Sequence, residues 1–357
     1  MKTLLFVPFC YLIFISSHFS QVGDCFVEAV EAVHEKQRNV GLAAVIHRGG
    51  QKVFSHYQGM ADLEHRVPVI SETSFGMASI TKVFTAVVLL QLEAEGLINL
   101  DAPVQRYIPE FPRKSETGIT LRMLATHRSG IPHPSNRTPT LYATHYESAL
   151  AAMEVYISDT LLFEPGTDRR YSSSNYNLLA AVIERTTDRL FTDVVQERIF
   201  LPLGLTHTHF DDPMAVVSHR ARRYSYYHPW TYAESDTLFR VPSWDYSFNV
   251  GGGNINTTAE ELATFGDALT APGLLPKEQL EVLYSQAWFG EPYREGMFIY
   301  ATGANPGLQA ALTVFPEKQI SVVILSNTWG KGSASAEMVE LAALLPKECM
   351  GVIIPDE

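Results

Sequence analysis

The chain predicts an α/β fold of the α+β kind: one antiparallel sheet completed by both termini, with a helical lobe inserted between them. Three observations predict it. Strand-like segments in pairs stand near both ends, the sequence between them is mostly helical in period with long loops, and neither an internal repeat nor a low-complexity linker divides the chain.

The elements follow in order. Gly41 to Val45 alternates into His47, Gly49-Gly50 supplies a turn, and Val53 to Tyr57 follows, which reads as a β-hairpin. Helices are expected over Thr81 to Glu95, Leu121 to Thr126, Tyr176 to Thr187 and Glu260 to Leu269. The last is opened by a capping box of Thr258 and Glu261. Ala310 to Phe315 and Ile320 to Leu325 pair around Pro316-Glu317-Lys318, and a helix over Ser333 to Leu344 closes the chain before Pro346. This gives a single domain over 21–357, with a sheet lobe of about 21–75 and 290–357 and a helical lobe of about 76–289. A ligand cleft is expected between the lobes.

Composition bounds the function. The 357 residues are 46% hydrophobic and 18% charged, enough to bury a large core. A formal net charge of −12 argues against nucleic acid as a partner, and the acidity is dispersed, as solubility requires. Residues 1–20 have the layout of a secretory signal peptide. Lys2 precedes an apolar run from Leu4 to Ile15, and Ser17 or Ser20 offers a small residue for cleavage. The run is short for a bilayer span, and a mitochondrial leader is disfavoured because the first arginine is Arg38. The chain is therefore expected to be secreted, with no stable membrane span once the leader is removed. The alternative is anchoring by an uncleaved leader. Leader removal leaves Cys25 and Cys349 near the two ends of an exported domain, which predicts a Cys25–Cys349 disulfide. Asn136-Arg-Thr138 and Asn256-Thr-Thr258 are candidate glycosylation acceptors at Asn136 and Asn256.

The chemistry starts at Phe75-Gly-Met-Ala-Ser79-Ile-Thr-Lys82. A serine hydroxyl is protonated near neutral pH and needs an adjacent base. Lys82, one helical turn on, stands on the same face as Ser79 and can be that base if burial lowers its pKa. The pattern continues with Val83, Val87, Val88 and Leu90, which places Ser79 in the first turn of a buried helix, among free N–H groups. Alone, the spacing equally suits an amphipathic helix with a solvated lysine. A second segment runs from Glu164-Pro-Gly through Tyr171-Ser172-Ser173 into Asn175-Tyr176-Asn177-Leu178. Tyr171, just before a helix, can present its phenol to a cleft and shuttle a proton.

Together Phe75–Lys82 and Pro165–Leu179 resemble the serine β-lactamase-related family of class C β-lactamases, DD-peptidases and related esterases. Leu124-Ala-Thr-His127-Arg-Ser129-Gly130-Ile131-Pro132, Gly251-Gly-Gly253 and Pro306-Gly307 extend the resemblance over residues 38–330. Asp62 to Pro68 and Ala102 to Pro112 look closest to animal lactamase-like serine hydrolases, one of which forms filaments. The resemblance implies a β-lactamase/DD-peptidase-like fold and an acyl-enzyme on Ser79, with Lys82 and Tyr171 sharing the proton transfers. It also implies substrate-binding groups at Ser173, Thr302, Gly303 and Ala304, and an oxyanion hole from the N–H groups of Ser79 and the strand near Ala304. Two departures matter. Ser173 stands where many relatives carry asparagine, and Ala301-Thr302-Gly303 lacks the lysine or histidine that usually opens this motif.

The expected function is an exported serine hydrolase acting on a small-molecule or peptide ester or amide, with no metal or organic cofactor. β-Lactam turnover is possible but not favoured. The alternative is a weakly catalytic or inactive member with a binding or filament-assembly role, and a homo-oligomer fits either reading. His207-Thr-His209 with Asp211-Asp212 lacks a zinc spacing and reads as a surface turn. No Gly-x-Ser-x-Gly elbow is present. Tyr224, Tyr226, Tyr227, Trp230 and Tyr232 are expected as a wall or cover of the cleft.

Overall fold

The computed structural model describes residues 25–134, 139–285 and 299–330. The strands are β1 (Gly41–Arg48), β2 (Gln51–Asp62), β3 (Val67–Pro68), β4 (Phe75–Gly76), β5 (His209–Phe210), β6 (Tyr224–Tyr227), β7 (Glu234–Arg240), β8 (Ile255–Thr257), β9 (Ile299–Asn305), β10 (Leu308–Phe315), β11 (Ile320–Ser326) and β12 (Thr328–Trp329). A first helix, α1, covers 25–37. The others are α2 (Thr81–Ala94), α3 (Leu121–Ala125), α4 (Pro139–Ala143), α5 (Ser173–Thr187), α6 (Phe191–Val195), α7 (Leu201–Leu203), α8 (Val250–Gly253), α9 (Ala259–Asp267) and α10 (Lys277–Ser285).

The main sheet has the order β3-β2-β1-β11-β10-β9. β1 runs antiparallel to β11, with Leu42 opposite Ser326 and Val45 opposite Val323, so strands from both ends of the chain share one sheet. Successive side chains of a strand point to opposite faces. Leu42, Ala44 and Ile46 of β1 accordingly join Val322 and Ile324 of β11 against Phe26 and Val30 of α1. Ala43 and Val45 join Leu312, Val323 and Leu325 in the larger core, with Val83, Phe84, Val87 and Val88 of α2 and Leu262 and Phe265 of α9. Each Val, Leu, Ile or Phe among these gains roughly 1.5–3 kcal/mol from full burial, so a charge at Val87 would break the seat of α2.

α1 is not among the expected helices, although Phe26, Val30 and Val33 share a helical face. Thr120 and Thr258 cap α3 and α9, accepting the N–H of Met123 and Glu261. Residues 1–20, Asn136, Cys349 and the closing helix at 333–344 lie outside the described residues. Asn256 is a correction. It lies buried on β8, and its amide donates to Asp211 at 2.9 Å, so this fold has no room for a glycan there. Among the described residues no helix is long and apolar enough to cross a membrane.

Candidate active site

The nucleophile turn comes before the long helix, not inside it. Ser79 sits in a 3-10 turn, Ala78–Ile80, that feeds α2. Ala78 adopts a left-handed φ of 42°, a conformation that costs energy in a residue with a Cβ. The turn is tied down on both sides, Met77 donating to the Ile255 carbonyl at 3.0 Å and Ile80 to Met77 at 3.2 Å. α2 is then clamped to the segment after it in space. Thr81 accepts from the Ile255 N–H, Lys82 donates to the Gly252 carbonyl, and Thr85 donates to the Gly251 carbonyl. On its other side Gly251 permits close approach to α5, since a Cβ there would stand 2.4 Å from the Tyr176 carbonyl.

Ser79 Oγ accepts two hydrogen bonds, from Lys82 Nζ at 3.2 Å and from the Tyr171 hydroxyl at 2.6 Å. Lys82 is buried, its Nζ 5.0 Å from the ring centre of Tyr171 and 5.7 Å from that of Tyr176. Burial lowers its pKa, against a smaller pull upward from Tyr171. Burial also works to raise the Tyr171 phenol, but Lys82, Ser79 and Ser173 together outweigh it and leave the phenol below its ordinary value. The Tyr171 side chain is half-exposed, so the contacts around its hydroxyl, not its ring, set that direction.

His127 supports Tyr171 from behind. It is buried at a left-handed φ of 60°, with its ring centre 4.6 Å from that of Tyr171. Its Nδ1 accepts the Ser172 N–H at 3.3 Å, so the neutral ring carries its proton on Nε2. Burial first, then Lys82 and Arg169, push its pKa down to about 3. Ser173 opens α5, and its N–H donates to His133 Nδ1 at 3.1 Å.

These groups edge a cavity of about 200 Å³. Ser79, Tyr171, Ser173, Ala304 and Asn305 meet His133, Tyr142, Tyr246, Phe248 and Asn249 around it. The structure thus brings Ser79, Lys82, Tyr171, Ser173 and Ala304 together. Thr302 and Gly303 are on the neighbouring strand β9 without lining the cavity. Gly303 instead permits contact: a Cβ there would fall 2.0 Å from the Met77 carbonyl and 2.9 Å from the Ser79 nitrogen. Ala301 is buried in the main core opposite Leu312, so no charged side chain stands at that position.

Sequence reasoning named His127 only within a motif and missed His133, Asn249 and the aromatic wall. Tyr142, Trp244, Tyr246 and Phe248 form that wall, Tyr142 and Trp244 stacking at 4.5 Å. Of the aromatics expected to form a cover, Trp230 reaches it through Trp244, whereas Tyr227 and Tyr232 contact Trp329. Asn249 lies just before Gly251-Gly252-Gly253, the one local signal that pointed there. His207 pairs with Glu261, and Asp211 with Arg223 and Asn256.

A serine between a lysine and a tyrosine, at the seam of an antiparallel sheet and a helical lobe, is an arrangement of the serine-hydrolase type. The β-lactamase family profile matches residues 26–346, and the chain belongs to that family. It is 26% identical to human "serine beta-lactamase-like protein LACTB, mitochondrial" over 407 aligned positions, which cover 82% of this chain and 73% of that protein. The D-amino acid amidase of Ochrobactrum anthropi SV3 superposes with a TM-score of 0.78 at 20% identity, covering 93% of this chain and 98% of the amidase. EstCE1, a hydrolase with promiscuous acyltransferase activity, superposes with a TM-score of 0.72 at 20% identity, covering 92% and 99%. At those identities the two structures establish a shared fold.

Proposed function

We propose that this chain is a serine hydrolase that cleaves neutral, largely apolar esters or amides through an acyl-enzyme on Ser79. The observation that carries the reading is Ser79 Oγ held at once by Lys82 and Tyr171 on the edge of an aromatic-walled cavity. Neutral Lys82 takes the proton as Ser79 Oγ bonds to the substrate carbonyl carbon. The carbonyl oxygen becomes an oxyanion, and the N–H groups of Ser79 and Ala304 are the donors assigned to it in this reading. The carbon–leaving-group bond then breaks, and Tyr171 passes a proton to the leaving group. Water, deprotonated by the same pair, releases the acid and restores Ser79. Lys82 and Tyr171 titrate as a coupled pair and do not have separate fixed roles.

The substrate preference follows from the walls. Among the described residues that line the cavity, none is Lys, Arg, Asp or Glu. Ala301 supplies no cation for a substrate carboxylate, while Tyr142, Tyr246 and Phe248 favour an apolar acyl group. The test compares a neutral aryl ester with a carboxylate-bearing penicillin as acylating agents of wild type and Ser79→Ala. Faster acylation by the penicillin would overturn the preference.

The core position of Ala301 favours a second reading, a weakly catalytic member that binds or assembles. It is supported if a folded protein takes no acyl group from several donor classes and sediments as large particles. Export and the Cys25–Cys349 disulfide belong to the first reading. The mitochondrial relative is the competing address. The intact mass of the protein from its native source, before and after reduction, reads both. A mass retaining residues 1–20, or two free thiols, would sink them.

A further inference from the structure

A second cavity, of about 260 Å³, has a different chemistry. Arg220, Arg222, Arg223 and Arg240 line it, with Asp211 as the one carboxylate in its wall and Val241, Pro242 and Trp244 on its apolar side. Four guanidinium groups around one cavity run against the character of a chain with 39 acidic and 27 basic residues. They come from two directions, three from the segment entering β6 and one from the end of β7, where Arg240 pairs with Tyr224 across the ladder.

The arginines differ in how far they are engaged. Arg223 is held by Asp211, whose other oxygen accepts from Asn256, so the wall's own carboxylate is already taken. Arg222 is bound by Asp62 at 2.7 Å. Arg240 is half-exposed and lies only within 3.8 Å of Glu64, which Arg222 shares at 3.7 Å. Arg220 donates Nη1 to the Asp212 carbonyl at 3.0 Å and stands 3.7 Å from Asp211, while its Nε and Nη2 are covered and make no hydrogen bond. The indole N–H of Trp244 is likewise buried without an acceptor. Unsatisfied buried donors are uncommon, and a missing ligand is one physical reason for them.

We propose that this cavity binds a small phosphomonoester, the phosphate taken by Arg220, Arg222 and Arg240 and the organic group lying against Val241, Pro242 and Trp244. A tetrahedral dianion accepts planar guanidinium forks from several sides at once. The cavity also touches the active site through its wall. Trp244 stacks on Tyr142, and Arg223 lies 5.7 Å over the ring of Tyr246, both tyrosines being part of the catalytic cavity. The binding proposal does not depend on the acyl-enzyme reading.

The test titrates phenyl phosphate and inorganic phosphate into the full-length folded protein at fixed ionic strength, by calorimetry and by tryptophan fluorescence. One saturable site is expected, weakened about tenfold or more by Arg220→Gln or by Arg240→Gln, as loss of a charge-assisted bond implies. Tighter binding of the ester than of the free ion supports the apolar contact; equal binding overturns the ester and leaves a phosphate site. Because Arg240 is half-exposed, Arg240→Gln tests the site even if Arg220→Gln fails to fold. No saturable binding up to about 10 mM, or unchanged affinity in Arg240→Gln, overturns the proposal and makes the arginines a structural ion-pair network.

Discussion

In the proposed mechanism Lys82 is the base, and its burial is a cost to the fold. A lysine sealed from water prefers to be neutral, and its folded pKa lies below the ordinary 10.5. The unfolded chain therefore binds more protons between the folded pKa and 10.5, so this group contributes less stability as pH falls through that window. Lys82→Met is expected to cut acylation by about 10³ or more and to melt no lower than wild type near neutral pH. A large drop in melting temperature with activity retained would show that Lys82 is structural. His127 follows the same sign at a lower pH. With its pKa pushed from 6.5 to about 3, it stays neutral in the fold but protonates in the unfolded chain. Stability is thus lost as pH falls from 6.5 toward 3, at up to about 1.4 kcal/mol per pH unit from this group. Between pH 6 and pH 5, His127→Asn should flatten the fall in melting temperature; an unchanged slope would contradict the assignment.

At the scale of elements, the site is a contact between a strand and a turn. β9 has to press against Met77–Ser79, and only a residue without a Cβ permits it at Gly303. Gly303→Ala is expected to push β9 off the nucleophile, with acylation down at least about 100-fold and a loss of roughly 1–3 kcal/mol from overpacking. Denaturant melts beside acylation rates check both, and wild-type rates in the variant would refute the contact. Much of this was legible in the sequence because it is local: Ser79 with Lys82, Tyr171 with Ser173, and the Thr258 cap each lie within a few residues. Ser79 was placed one turn too deep, because the apolar period of α2 does not show where a 3-10 turn gives way to the α-helix. The aromatic wall was hidden, since Tyr142 and Tyr246 meet only in the folded chain, and Asn256 read as an acceptor motif because burial leaves no local trace.

For the whole molecule, the sheet joins what the sequence separates. That strands from both ends share one sheet was legible, because hairpin-like pairs flank a mostly helical middle; that β1 is the strand beside β11 was not, since no local signal carries a pairing over so long a separation in sequence. α1 was not, although it covers the outer face of that sheet through Phe26 and Val30. The candidate cavity lies where β9, the edge of this sheet, meets the helical lobe, so the site forms only once β9 has joined the sheet. The central claim is that this placement makes Ser79 a nucleophile. Its most direct measurement is the intact mass of the folded protein after incubation with a neutral activated aryl ester, beside Ser79→Ala. A single acyl adduct on wild type and none on the variant is the predicted result. Equal labelling of both, or none on either while both remain folded, would contradict it.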